Sequence, residues 1–185
     1  MKKIFKFMLL PALVLPLLFT SCDDDRDSNP TLDLSHLAEG FVLNKPALAE
    51  NNTYDLNSAK SLVLTCSQPN YGNAPYAVKY YAQVSIDPTF VSDPAATHEE
   101  LATYAENASS LEFNASEVNN AVVSLFQAAN PDTSVPEDMP IYIRLRAVIS
   151  GTLNQTLGET YSNVITLPSV KATYEAPDAK FTDNL

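Results

Sequence analysis

The sequence predicts an all-β sandwich of about seven strands, with one short helix before the penultimate strand. Residues 78–87 and 141–150 each alternate apolar and polar side chains, which is the period of a strand with one buried face. Residues 114–130 instead show the spacing of an amphipathic helix. The connections are rich in Pro, Asn, Asp and Gly, as expected for turns. These observations together favour a sandwich.

Length and charge limit the functions open to this chain. Its 185 residues, 45% of them hydrophobic, can bury one core of ordinary size, so we expect one domain. It carries 22 acidic and 11 basic residues, a net charge of -11. That sign is wrong for binding nucleic-acid phosphates or an anionic bilayer surface, and we predict no nucleic-acid partner. With only four glycines, a nucleotide enzyme with a glycine-rich phosphate loop is disfavoured.

The first 21 residues have the properties of a secretory signal peptide. Three lysines precede an apolar stretch at residues 7–19, which is shorter than the about 20 apolar residues needed to cross a bilayer. The sequence FTSC at positions 19–22 resembles a bacterial lipobox, in which small residues precede a cysteine that becomes the lipidated N-terminus. We therefore predict cleavage after residue 21 and lipid attachment at Cys22. The alternatives are a retained N-terminal anchor and a disulfide between Cys22 and Cys66.

Residues 22–39 are predicted to form an acidic flexible tether, because they carry dense charge, few apolar residues and no regular period. Asp23, Asp24 and Asp25 directly follow the predicted lipidation site. A calcium site needs six to eight oxygens arranged by a turn, so solvated charge is the favoured interpretation of these aspartates. Loss of the three signal-peptide lysines changes the net charge from -11 to -14. Anchoring is thus expected from acyl chains, at about 0.8 kcal/mol per buried CH₂.

The sandwich domain is predicted to span residues 40–170, with 171–185 as a C-terminal tail or the start of a linker. Besides the two clear strands, weaker strand patterns occur at 41–44, 61–67, 109–113 and 161–167. In the helix, the apolar positions are Val118, Val122, Leu125 and Ala129. Asn114 is predicted to cap its start with Glu117 reaching back, and the Asn-Pro pair at 130–131 ends it.

No motif in the chain predicts catalysis. His36 and His98 have no Cys or second His at metal-ligand spacing, and no serine stands in a G-x-S-x-G elbow. Cys66 shares a strand face with Leu62 and Leu64, so we expect a buried thiol with a raised pKa rather than a nucleophile. We therefore predict no enzymatic activity, no metal and no cofactor.

Three tyrosines are candidates for glycan contact. Tyr71 and Tyr76 lie in a predicted loop, and Tyr81 is the exposed neighbour of a buried Tyr80. Aromatic faces flanked by Asn and Gln suit sugar rings, which stack through their C–H faces while the amides bind the hydroxyls. The competing interpretation is that these tyrosines pin the loop to the domain.

Several stretches resemble one family. FVLNKPALAENNTYDLNSAKSLVLTCSQPNYGNAPYAVKYYAQVSIDPTF, EFNASEVNNAVVSLFQ, PIYIRLRAVISG and SNVITLPSV are similar to the N-terminal domain of SusE-like outer-membrane lipoproteins of Bacteroidetes. The likeness spans about residues 40–175. YIRLRAV followed by SNVITL also resembles the last two strands of fibronectin type III domains. The resemblance thus implies an immunoglobulin- or fibronectin type III-like sandwich.

The resemblance also implies where the protein acts. It implies a lipid-anchored protein on the exterior of the outer membrane, next to a polysaccharide importer and its associated surface lipoproteins. Asp23, Asp24 and Asp25 match the acidic surface-export signal of such lipoproteins in place and charge. The position of Cys66 tends to hold tryptophan in this family, which implies a core repacked around a smaller side chain. Sugar-binding modules follow this domain in the family, so we assign none of the family's starch-binding residues here.

Two functions follow as expectations. The first is a spacer and assembly domain in a starch-type polysaccharide utilisation system. The alternative is a stand-alone module that binds starch or another glycan through Tyr71, Tyr76 and Tyr81.

Overall fold

The computed structural model describes residues 31–90, 98–151, 153 and 155–174. Nine strands and one helix lie within these residues. The strands are β1 (Leu43–Asn44), β2 (Tyr54–Asp55), β3 (Ser61–Cys66), β4 (Ala77–Ser85), β5 (Glu99–Ala105), β6 (Leu111–Asn114), β7 (Met139–Ser150), β8 (Thr156–Tyr161) and β9 (Ile165–Lys171). The helix, α1 (Ala115–Ala129), connects β6 to β7.

Two sheets form the sandwich, which confirms the predicted fold class. The small sheet has the order β1-β3-β6, and the large sheet has the order β2-β9-β7-β4-β5. The 12-residue strand β7 pairs with β9 through its first half and with β8 through its second half. Apart from the parallel pair β2 and β9, the pairs are antiparallel.

The inward side chains of both sheets form one apolar core. The small sheet contributes Leu62, Leu64 and Phe113, and the large sheet contributes residues such as Tyr80 and Ile143. Full burial of a Leu or Phe side chain stabilises a fold by about 1.5–3 kcal/mol. Successive side chains of a strand point to opposite faces, so packing one face against this core gives β4 and β7 their period of two.

The predicted number of strands and the predicted place of the helix were wrong. The described residues contain nine strands rather than seven, and three strands follow α1, so the helix does not precede the penultimate strand. Two of the missed strands, β5 and β8, lack the alternating apolar pattern. Strand β5 buries only its third and last residues, and β8 buries none of its side chains fully. Periodicity therefore gives no signal for either strand.

The helix begins as predicted but is not stabilised entirely as predicted. The Asn114 side chain accepts a hydrogen bond from the Ser116 N–H at 3.0 Å, which confirms the cap. Glu117 does not reach back to the cap; its carboxylate instead accepts from backbone N–H groups of Ala102 and Thr103 on β5. The predicted apolar face is buried except at Ala129, which is exposed.

The second half of the predicted tether lies against the domain. Leu32 forms an isolated bridge with Gly72, and the Asp33 N–H donates to the Tyr71 carbonyl at 3.1 Å. Leu37 is buried in the core. The predicted signal peptide, residues 22–30 and the tail from residue 175 lie outside the described residues, so these parts of the predicted organisation stay predictions.

Candidate functional site

The most distinctive surface of the molecule is the side of the large sheet that faces away from the core. Antiparallel pairing places directly opposed residues on the same side of a sheet. Tyr104 on β5 opposes Tyr81 on β4, Tyr81 opposes Arg146 on β7, and Arg146 opposes Tyr161 on β8. One row of three tyrosines and an arginine therefore crosses four strands.

A second row runs beside the first. Glu100 on β5 opposes Gln83 on β4, which opposes Arg144 on β7. Lys79 and Glu159 lie on the same side of the sheet, because both flank Val148 of β7 in register. We call these two rows, together with Lys79 and Glu159, the outer face.

Arg146 of the first row and the neighbouring Lys79 stack on aromatic rings of that row. The Arg146 guanidinium carbon lies 4.8 Å from the centre of the Tyr81 ring, and the Lys79 Nζ lies 4.6 Å from that of Tyr104. The centres of the two rings are 5.5 Å apart, with their planes tilted by 49°. Aromatic pairs prefer such tilted arrangements. Each cation–ring contact contributes about 0.5–1 kcal/mol at an exposed site.

Arg144 is held in a similar way in the second row. Its guanidinium carbon lies 4.6 Å from the centre of the Phe90 ring and 4.8 Å from that of Tyr161. Its Nε donates a hydrogen bond to Gln83 Oε1 at 2.7 Å. The long side chain of Arg144 is therefore fixed by three neighbours before any partner binds.

Arg146 is the electrostatic centre of the outer face. Its guanidinium forms a bidentate pair with Glu100, at 2.6 and 2.8 Å, and also donates to Glu159 at 3.1 Å. The Arg146 hydrogen bond, followed by one from Gln83, lowers the pKa of the Glu100 carboxyl despite its partial burial. In turn, the bond to Glu100 raises the pKa of Arg146. These two groups stay charged at neutral pH.

Two cations of the outer face keep no carboxylate partner. Among the described residues, the ion pairs of 4.0 Å or less do not include Lys79 or Arg144. The described part of the chain has six Lys and Arg against fourteen Asp and Glu. The outer face holds three of those cations but only two of those acids, Glu100 and Glu159. An acidic domain thus gathers half of its described cations on one side of one sheet.

The three tyrosines predicted to contact glycan lie in two different environments. Tyr71 and Tyr76 are partly buried against the core. Tyr71 lies near Tyr80, whose hydroxyl pKa is raised mainly by burial and further by Cys66 and Tyr71. Tyr81 points to the opposite side of β4, onto the outer face. The structure does not bring the three rings onto one platform, and glycan contact stays a prediction.

The remaining predicted residues divide between the core and the undescribed N-terminus. Cys66 is buried, and burial raises the pKa of its thiol to about 11, as expected for a core residue. Cys22, Asp23, Asp24 and Asp25 lie outside the described residues. In the part of the chain that the structure covers, no group of His, Cys, Asp and Glu is arranged to hold a metal ion. No helix there has the length and apolar character to cross a membrane.

Sequence reasoning missed most of the outer face. Tyr104 and Tyr161 lie on the two strands that periodicity did not detect. The sequence does contain one signal, the two arginines at the polar positions of YIRLRAV. In a strand with one buried face, these arginines must point away from the core. Neither cation can face a packed core unpaired, so a charged outer surface on β7 follows from the alternation.

The fold and the outer face define a β-sandwich domain with a row of aromatic and charged side chains on one exposed side. The family model for the SusE outer membrane protein matches residues 24–146, which is 123 of the 185 residues. The chain therefore belongs to the SusE outer membrane protein family, it is located in the outer membrane, and the predicted resemblance is confirmed. No solved structure matches the chain significantly.

Proposed function

We propose that this protein is a lipid-anchored, surface-exposed component of a starch-type polysaccharide utilisation system. In this proposal the sandwich is a non-catalytic spacer and assembly module. It holds a glycan-capture apparatus away from the bilayer and docks it to the importer and the surface lipoproteins around it. Acyl chains on Cys22 supply the membrane attachment.

The outer face is the observation that carries the assembly role. Tyr and Arg dominate the energetics of protein interfaces, because each buries a large area and also has a polar group to pair. Here they form a continuous row across four strands, and Tyr104 and Tyr161 are 40% and 43% exposed. Membership of an outer membrane protein family supports the location in which such docking is proposed.

Isothermal titration tests the spacer role against the glycan-binding alternative. Soluble chain (residues 23–185, Cys22 omitted) is titrated with starch and with other polysaccharides. We expect no binding isotherm, because Tyr71 and Tyr76 pack against the core and Tyr81 already stacks on Arg146. A clear isotherm that Tyr71→Ala abolishes would overturn the spacer role and favour the loop tyrosines.

Mass spectrometry of protein extracted from membranes tests the anchor separately. We expect an N-terminal peptide that begins at Cys22 and carries acyl chains. A matched Cys22→Ser chain should keep its signal peptide and carry no lipid. An unmodified Cys22, or a retained Met1 in the unsubstituted protein, would contradict the proposed anchoring.

A further inference from the structure

We propose that the outer face is the docking surface of this domain, and that its partner is a protein surface rich in carboxylates. The inference rests on the assembly role proposed above and names the surface and the partner chemistry that this role requires.

Charge complementarity selects an acidic partner. Lys79 and Arg144 have no carboxylate partner among the described residues, although fourteen acids lie there. Elsewhere on the described chain, three cations stand against twelve acids, so an acidic partner is repelled from the other surfaces. Such asymmetry directs an encounter to the attractive side and suppresses wrong orientations.

The cations are ordered in advance, which lowers the cost of docking. Immobilising a flexible side chain costs free energy on association. Arg144 is already fixed by Gln83, Phe90 and Tyr161, and Lys79 already lies over Tyr104. A carboxylate arriving at either cation therefore meets a side chain with little freedom left to lose.

The mixture of charges favours a protein over an anionic membrane or glycan. Glu100 on β5 and Glu159 on β8 both pair with Arg146 on β7, so the charge on the outer face alternates in sign across these strands. A uniform anionic surface gains nothing from that alternation and is repelled by the remaining acids of the domain. A folded partner can match the pattern and fix the docking register.

Photo-crosslinking in the native host tests the surface without knowing the partner. The full-length chain carries p-benzoyl-phenylalanine in place of Tyr104 on the outer face. The matched control carries it in place of Val63, which is 50% exposed on the small sheet. We expect one discrete protein adduct from position 104 and none of that mass from position 63.

Charge reversal tests the chemistry of the contact. Lys79→Glu in the position-104 chain should reduce the adduct by about tenfold, because like charges at an interface oppose docking. Lys60→Glu changes the net charge equally at an exposed site before β3 and should leave the yield unchanged. A carboxylate-to-Lys change in the partner, at the crosslinked peptide, should restore the adduct of the Lys79→Glu chain.

Several results overturn the inference. In the crosslinking experiment, these results are no adduct at position 104, equal adducts at both positions, or an adduct with lipid or glycan instead of a protein. In the charge-reversal experiment, they are equal effects of Lys79→Glu and Lys60→Glu, or failed restoration by the partner change. Thermal melting of each soluble variant identifies unfolding. If Lys79→Glu unfolds the domain, Lys79→Ala replaces it with the same expected direction. Acylation of Cys22 is measured in the same cells. Its absence refutes the proposed anchoring, whereas normal acylation without an adduct refutes only the docking surface.

Discussion

Two backbone amides of β5 take their hydrogen-bond acceptor from the helix. Between its pairings with β4, the strand carries extra residues, and this bulge releases Ala102 and Thr103 from the regular ladder. The Glu117 carboxylate accepts from both N–H groups. Partial burial alone would raise the pKa of Glu117, but hydrogen bonds from Thr103 and Ala102 outweigh it, and the pKa is lowered.

We expect Glu117→Ala to destabilise the domain by about 1 kcal/mol, because two backbone N–H donors of β5 lose their shared acceptor. Glu112→Ala is the matched control, since it removes an exposed carboxylate from the neighbouring strand β6. Urea denaturation of both variants at neutral pH measures the difference in free energy of unfolding. Equal losses in the two variants would show that Glu117 has no special role at the bulge.

Glu100 should make the stability of the domain depend on pH. Its pKa is lowered from 4.5 in the fold, chiefly by the hydrogen bond from Arg146. A lowered folded-state pKa means that the stabilisation is fully present above the unfolded-state pKa and is lost as pH falls through the folded-state pKa. The stability difference between the unsubstituted protein and Glu100→Gln should therefore be constant above pH 4.5 and shrink below it.

Urea denaturation at a series of pH values, from neutral to acidic, measures this difference. Glu159→Gln serves as the comparison, because its carboxyl is more exposed and shares the same arginine. A difference for Glu100→Gln that does not change on acidification would contradict the assigned ion pair.

At the scale of the elements, the sequence predicts a strand well where one face of the strand is buried and its pairing is regular. The prediction at 78–87 matches β4, and that at 141–150 matches β7, because both strands are central and alternate in burial before their last four residues. Strand β5 escapes detection because its bulge breaks the period, and β8 because its side chains are only partly covered. Edge position and irregular register are properties of the assembled sheet, and no local pattern encodes them.

The same limit applies to the outer face. Tyr81 and Arg146 stand at predictable outward positions of regular strands. Their meeting with each other depends on pairing between β4 and β7, which are far apart in the chain, and their alignment with Tyr104 and Tyr161 depends on two pairings that contain register shifts. Register of this kind is decided by core packing and bulges, so the sequence indicates the composition of the surface but not its rows.

The N-terminal segment that packs on the domain depends on a close approach at Gly72. This residue has φ +80°, and a Cβ there would lie 2.8 Å from the Thr31 carbonyl oxygen. Gly40 has a similar φ of +72°, but a Cβ there would meet nothing within 4 Å. Substitutions at the two glycines therefore distinguish the effect of backbone strain from the effect of the contact with the N-terminal segment.

We expect Gly40→Ala to cost about 1 kcal/mol through backbone strain alone. Gly72→Ala should cost more, because the added methyl also displaces Thr31 and weakens the bridge between Leu32 and Gly72. Thermal denaturation measures both losses, and limited proteolysis measures the release of residues 31–37. Equal losses, with no faster cleavage in Gly72→Ala, would contradict this account of the close approach.

At the scale of the whole molecule, the proposed membrane attachment does not depend on surface charge, whereas the proposed docking does. The predicted mature chain, at -14, cannot be held on an anionic bilayer by its surface charge. The outer face is the side on which the described cations concentrate. In the proposed arrangement, acyl chains determine where the molecule stays and the outer face determines what it contacts.

The aspartates after Cys22 should decide which side of the outer membrane the protein faces. A triple variant replaces Asp23, Asp24 and Asp25 with alanine. In cells that express it, we expect the protein still to be acylated at Cys22 and to fractionate with the outer membrane. Surface exposure should be lost, because the acidic stretch is removed while the lipobox is intact. Proteinase K digestion of whole cells measures exposure, and Asp132→Ala, Asp138→Ala is the charge control within the domain. Continued digestion of the triple variant would refute an export role for these residues, whereas loss of acylation would place them in lipobox processing instead.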